Sequence, residues 1–131
     1  MDFNEMFRVG ETLTAEYTVD PENTAAHIGN IGVHVLSTPS MIKFMETTCA
    51  RIIFEKVPEN FRPVGTKINI DHISSTPVHM KVTVKSTLES LEGRKASFNV
   101  EAFNEKTKIG FGIIEQHIIN IDDFLSKESQ V

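Results

Sequence analysis

One stretch of this 131-residue chain has the apolar spacing of a buried helix, and the rest of its regular pattern is typical of strands. The helical stretch is STPSMIKFMETTCARIIFE, in which apolar side chains recur at helical intervals at Met41, Met45, Cys49, Ile52 and Ile53. Pro39 suits a first helical position, and Pro58 requires the helix to end before it. With one helix to cover a sheet, the chain is predicted to adopt an α+β fold in which the sheet wraps around that helix.

Five segments alternate apolar and polar residues or are rich in β-branched residues, which predicts strands. They are ETLTAEYTVD before the helix and TKINIDHIS, VHMKVTVKSTLESLEG, RKASFNVEAFNE and KIGFGIIEQHIINI after it. Short connections at 76–77, 92–93 and 104–108 favour an antiparallel meander of the last four. VPENFRPVG is predicted to be a loop, and residues 22–37 either an irregular loop near a site or a short, poorly specified helical turn. We expect one domain over 1–131, with 126–131 a frayed polar tail.

Composition excludes several classes of function. Apolar residues make up 40% and charged residues 24% of the chain, and no apolar run is long enough to cross a bilayer. The formal charge of −5 and the scattered lysines argue against nucleic-acid binding. MDFNEMFRVG lacks the pattern of a signal peptide, so a cytoplasmic location is expected. The single cysteine, Cys49, is interpreted as a small core residue.

A carboxylate interrupts the apolar face of the helix. Glu46 follows Ile42 by one turn and precedes Ile53, so burial would disfavour its charged form unless a donor or a cation lies close by. The alternative is a rim glutamate whose head reaches water. His72 shares the apolar face of its strand with Ile70, and a lone histidine there is more often a satisfied core residue than a catalytic one. Together, however, Glu46 and His72 could meet and supply each other with a donor and an acceptor.

Thr38 has two interpretations as well. It is most simply the N-cap of the helix, with its hydroxyl accepting a hydrogen bond from an early amide. A helix N-terminus is also a natural place to hold a developing oxyanion or a carboxylate.

These residues resemble those of the hot-dog-fold thioesterases of the fluoroacetyl-CoA thioesterase type. The likeness rests on Thr38, PSMIKFMETTCA with Glu46, the loop glycine Gly65, INIDHISSTP with His72, and LESLEGRKASF, and it covers nearly the whole chain. The resemblance implies a hot-dog fold, a homodimer with sites near the interface, and hydrolysis of a short-chain acyl-CoA without a cofactor. Pairing of dimers into tetramers stays open. It implies that Thr38, Glu46 and His72 are catalytic, and that the backbone amide of Gly65 lies near the thioester carbonyl.

The chain departs from the family pattern in two places. AAHIGNIGVHVLS is shorter than the corresponding lid segment and has no phenylalanine, so an acyl group other than fluoroacetyl is expected. Gln116 stands where the family pattern has an arginine, which makes Gln116 the predicted substrate contact at that position. His27 and His34 lack a second ligand pair at metal spacing, so no metal site is predicted.

Two other functions fit the same fold. A non-catalytic protein could hold an acyl-CoA or a small carboxylate in the same cleft, although Glu46 with His72 argues against it. An enoyl-CoA hydratase would require an acid/base pair near C2 and C3 of the substrate, and the Asp and His pattern of those enzymes is not evident.

Overall fold

A computed structural model describes residues 2–128. Its strands and helices, in chain order, are β1 (Thr12–Thr18), α1 (Thr38–Phe54), β2 (Phe61–His72), β3 (Lys81–Glu92), β4 (Lys95–Phe103), β5 (Lys108–Asn120) and α2 (Ile121–Glu128). Helix α1 and the first strand lie where the sequence predicts them. The chain from Pro21 to Ser37 is irregular apart from one short 3-10 turn, as expected.

The five strands form one antiparallel sheet in the order β1-β3-β4-β5-β2. The antiparallel pairing is confirmed, but the predicted four-strand meander is wrong, because β2 pairs with β5 at one edge instead of with β3. The connection from β2 to β3 is residues 73–80, and eight extended residues reach about 26 Å. The distance from β3 to β2 across the sheet is three strand spacings of about 4.8 Å each, which this connection can cross. Strand β2 can therefore lie at the edge beyond β5.

The core lies between α1 and one face of the sheet. The apolar stripe of the helix is buried as predicted: Met41, Met45, Cys49 and Ile53 are fully buried and Ile52 is 3% exposed. They meet alternate residues of the inner strands, such as Val84, Phe98 and Ile114. Because each large side chain stabilises the fold by about 1.5–3 kcal/mol on burial, this face fixes the helix on the sheet.

Strand β2 begins earlier than predicted, at Phe61, so FRPVG belongs to the strand and not to a loop. Pro63 is tolerated because β2 is an edge strand, where a missing amide costs the sheet nothing. The register with β5 shifts between Gly65 and Lys67, so Gly65 lies at a β-bulge within the strand.

The C-terminal end also differs from the expectation. Residues 121–128 form α2, so the frayed tail predicted from residue 126 is wrong for 126–128, and residues 129–131 lie outside the described part of the chain. Of the helices within residues 2–128, none has the length and apolar content needed to cross a membrane.

Candidate active site

The first turn of α1 faces the last residue of β2. Ser37 caps the helix, because its hydroxyl accepts a hydrogen bond from the Ser40 amide at 3.2 Å. The predicted N-cap role of Thr38 is therefore wrong, since Thr38 is already the first helical residue. Its hydroxyl lies 2.8 Å from Nδ1 of His72 instead. Thr38 is exposed, so this pair presents a hydroxyl to solvent.

The environment of His72 favours the neutral form of its imidazole. Burial lowers the pKa of the imidazole below its usual value, and a hydrogen bond with the backbone of Ser74 opposes that shift in part. Nε2 is buried and has no hydrogen-bond partner within residues 2–128. A neutral imidazole beside a hydroxyl can accept or donate a proton near pH 7.

A cleft of about 370 Å³ opens beside the Thr38–His72 pair. Its walls include Val35, Leu36 and Ile73, so the polar pair lies among apolar side chains. The loop before α1 therefore borders the site, as expected, although neither of its histidines lines the cleft. A cleft of this volume can hold a small molecule or part of a larger ligand.

Glu46 lies two turns further along the same face of α1. It is half-buried, and its carboxylate lies against the backbone of Gly65, where an added Cβ would overlap with Oε2 of Glu46. Gly65 pairs with Gln116 across the sheet. Gln116 is only 2% exposed, and its Nε2 donates to the backbone carbonyl of Glu46 at 3.1 Å.

Within one protomer, Glu46 and His72 do not meet: no hydrogen bond or ion pair joins them in the described part of the chain. Gly65 and His72 are seven residues apart on β2, on the order of 20 Å along a bulged strand. The candidate site residues thus form two groups, Thr38 with His72 at one end of β2 and Glu46 with Gly65 and Gln116 towards the other.

An apolar strip that we did not predict as functional connects the two groups. Ile42 lies one turn from both Thr38 and Glu46 on α1, and Ile68 and Ile70 lie between Gly65 and His72 on the same face of β2. Ile68 is 42% exposed. The signal was present in the sequence as the four-residue spacing of 38, 42 and 46, which places these side chains in one helical row.

Cys49 lies in the hydrophobic core. Cys49 is fully buried with its Sγ 3.1 Å from the Ser86 hydroxyl, and burial raises the pKa of its thiol to about 12. The interpretation as a core residue is confirmed. Residues 2–128 contain no group of three or more His, Cys, Asp or Glu residues arranged to hold a metal ion.

A family described as fluoroacetyl-CoA-specific thioesterase matches residues 19–122, which is more than half of the chain. The chain belongs to this family. Membership in this thioesterase family confirms the predicted enzyme class, a thioester hydrolase, and the resemblance noted in the sequence.

Individual relatives agree with the family assignment. The fluoroacetyl-CoA thioesterase of Streptantibioticus cattleyicolor is 32% identical over 129 residues, which cover 94% of this chain and 93% of that protein. A mutant of a fluoroacetyl-CoA-specific thioesterase, solved with fluoroacetate and CoA, is 31% identical with a TM-score of 0.86, covering 90% of this chain and 99% of that one.

A more distant structure supports the fold alone. A hot-dog-like protein from Thermanaerovibrio acidaminovorans superposes with a TM-score of 0.91 at 22% identity, covering 99% of this chain and 96% of that one. The predicted hot-dog fold is therefore confirmed, as a five-stranded antiparallel sheet packed on one long helix.

Proposed function

We propose that this member of the thioesterase family hydrolyses a short-chain acyl-CoA to the free acid and CoA, and that Thr38, Glu46 and His72 form its catalytic group. The observation that carries the proposal is the 2.8 Å hydrogen bond between the Thr38 hydroxyl and His72, beside a small cleft with apolar walls. A hydroxyl hydrogen-bonded to an imidazole is a typical arrangement in acyl-transfer enzymes. The chemistry requires no cofactor.

The reaction assigns each group a role. Glu46 either removes a proton from water or attacks the thioester carbonyl to give an anhydride that water then hydrolyses. In both cases the oxygen of water ends on the acyl carbon, the C–S bond breaks, and the proton lost by water is returned to sulfur. The Thr38 hydroxyl orients the acyl carbonyl, and His72 exchanges a proton with that hydroxyl. The backbone amide of Gly65 lies close to the thioester carbonyl.

A second copy of the chain would complete the site. Thr38 with His72 and Glu46 with Gly65 lie too far apart within one protomer, and β2 is an exposed edge with an apolar strip between them. Antiparallel pairing of two β2 strands about a two-fold axis near the middle of the strand would bring His72 towards the partner's Gly65. Each dimer would then hold two sites, each built from both chains.

The first test is thiol release from acetyl-, propionyl-, butyryl- and fluoroacetyl-CoA by the purified protein. We expect turnover of at least one short acyl-CoA. Tight binding of acyl-CoA with no thiol release would instead show a non-catalytic binding protein. The loop between β1 and α1 has aliphatic rather than aromatic side chains, for example Ile28, Ile31 and Val33, so preference for a non-fluorinated acyl group is expected.

Substitutions at Thr38 separate its catalytic role from any effect on the helix end. Thr38→Ala should lower kcat/KM by about 10–100-fold because the hydroxyl that orients the carbonyl is lost. Thr38→Ser keeps the hydroxyl and should retain most of the activity. The matched control is Ser37→Ala, which removes the true N-cap and should lower the free energy of unfolding by about 1 kcal/mol with little change in kcat. Unchanged turnover in Thr38→Ala would remove Thr38 from the catalytic group.

Gly65→Ala should reduce kcat by about 100-fold, because displacing a reacting group by about 1 Å has effects of that size. The new methyl group would occupy the position of the Glu46 carboxylate. A suitable control is Gly93→Ala in the β3–β4 turn: Gly93 has a φ of 62°, so that change strains the backbone, but the added Cβ meets no other atom within 4 Å. If Gly65→Ala is as active as the wild type, the carboxylate does not work from this position.

A further inference from the structure

The side-chain amide of Gln116 has a hydrogen-bonded nitrogen and an oxygen without a hydrogen-bond partner in residues 2–128. Its Nε2 donates to the backbone carbonyl of Glu46 at 3.1 Å. Because a carbonyl can only accept, this contact fixes which end of the amide is nitrogen. The other end, Oε1, is buried and has no hydrogen-bond partner in residues 2–128. A buried acceptor is costly to leave unpaired, so it calls for a donor.

The position of Gln116 indicates which donor this is. Gln116 pairs with Gly65, and paired residues present their side chains on the same face of a sheet. The Glu46 carboxylate occupies the space where a Gly65 side chain would lie. The Cβ of Gln116 therefore lies about 5 Å, the spacing of cross-strand Cβ atoms, from the space that the Glu46 carboxylate fills, so the two side chains are neighbours. A water molecule between the two side chains would supply the missing donor, with one hydrogen directed at Oε1 of Gln116 and the other at the carboxylate of Glu46.

We propose that Gln116 is a positioning residue that orients the water consumed by the reaction. Its Oε1 accepts one hydrogen of the water while Glu46 accepts the other, so that a lone pair of the water oxygen faces the acyl carbon. The inference rests on the proposed function and holds for either role of Glu46, because water attacks the thioester in one case and the anhydride in the other. If Glu46 is the base, it takes one proton of water as the new O–C bond forms and the C–S bond breaks. If Glu46 is the nucleophile, the breaking of the anhydride C–O bond frees its carboxylate, which then takes the proton of the attacking water.

This role differs from the substrate contact that the sequence predicts for Gln116. At 2% exposure the side chain lies beneath the helix, where direct contact with a long acyl-CoA would need a wider opening. The hydrogen bond to the Glu46 carbonyl also ties the carboxylate-bearing turn of α1 to β5. Gln116 therefore acts on the reacting atoms through water and through the position of Glu46.

The experiment measures how the acyl group divides between water and an added nucleophile. Acetyl-CoA is supplied with and without hydroxylamine, and acetate and acetohydroxamate are quantified after subtraction of the uncatalysed reaction. Gln116→Met has a similar shape without polar atoms. We expect its kcat for hydrolysis to fall about 100-fold, with little change in KM and at least a tenfold rise in the hydroxamate-to-acetate ratio, because hydroxylamine does not depend on the oriented water.

The matched control is Ser86→Ala. Ser86 is a buried polar residue on β3, and its hydroxyl contacts Cys49 of α1, one turn beyond Glu46. Gln116 on β5 contacts the same helix in a similar way, through the backbone of Glu46. Ser86→Ala should keep the wild-type product ratio. Because the ratio does not depend on the fraction of folded enzyme, it stays informative if Gln116→Met folds poorly, and Gln116→Leu provides a second variant.

Two results would overturn the inference: unchanged turnover in Gln116→Met, or a fall in hydrolysis and hydroxamate formation by the same factor, which a purely structural role predicts. Both leave the wild-type enzyme active. Failure of the proposed function has a different signature, because the wild-type protein would then release no thiol from any acyl-CoA.

Discussion

Replacing Glu46 by glutamine is expected to lower kcat for thiol release by about 10³-fold or more, because the amide can neither accept the proton from water nor attack the thioester. The change preserves the shape of the side chain that lies against Gly65. KM should change little, since binding of the CoA moiety does not depend on the carboxylate. Initial rates of thiol release on the best substrate of the panel measure the effect.

The control for this substitution is Glu55→Gln. Glu55 is exposed, caps the C-terminus of the same helix and lies away from both groups of site residues, so its loss of charge should leave turnover unchanged. Thermal unfolding of both variants shows whether either change affects the fold. Near wild-type turnover by Glu46→Gln would refute the catalytic role of the carboxylate. The presence of a carboxylate on the apolar face of the helix would then need another explanation.

The strands and the long helix could be predicted because each depends on local periodicity. Apolar residues recur every three to four positions in α1 and every two positions in β3 and β4. This spacing indicates which face of each element is buried, without any knowledge of the element that packs against it. Helix α2 was missed because IDDFLSKE has only three apolar residues in eight and, in the part of the chain that the structure describes, buries none of its side chains. Its polar composition favours a tail as much as a helix.

Strand order was not predictable in the same way, because pairing joins residues that are distant in the sequence. The connection after β2 is short enough for a hairpin and long enough for a crossover, so its length does not decide between β3 and β5 as a neighbour. The same limit applies to the site. The histidine follows the glutamate on the next element in the chain, yet β2 runs past α1 so that Gly65, and not His72, reaches Glu46.

The role of Thr38 depended on a single residue of register. Ser37 and Thr38 are both good N-caps by composition, and which one caps the helix decides whether the threonine hydroxyl is used within the helix or directed at β2. Burial selects Ser37, which is 3% exposed while Thr38 faces solvent. Sequence alone therefore predicted the residue types of the proposed site but not their contacts.

Mixed dimers should show whether two chains build each site. We expect Glu46→Gln and His72→Ala each to be inactive alone, whereas a heterodimer of the two, isolated through two different affinity tags, should recover about half of the wild-type activity per dimer. One site of that heterodimer combines the intact His72 of one chain with the intact Glu46 of the other. The second site lacks both groups.

The complementary heterodimer pairs a wild-type chain with a chain that carries both substitutions. If the sites are shared, each contains one defective group and the heterodimer should stay at background, although one of its chains is entirely wild type. If each chain held a complete site, the two results would be reversed, with about half activity here and none for the pair of single variants. Failure of the two tags to purify together would contradict the dimer itself. Glu46 lies against Gly65 of β2, whereas His72 lies at the end of that strand, so the two groups are separated within one chain. Antiparallel pairing of β2 with its own copy would bring opposite ends of the strand together, because β2 is an edge strand. This separation therefore favours sites that are shared between two chains.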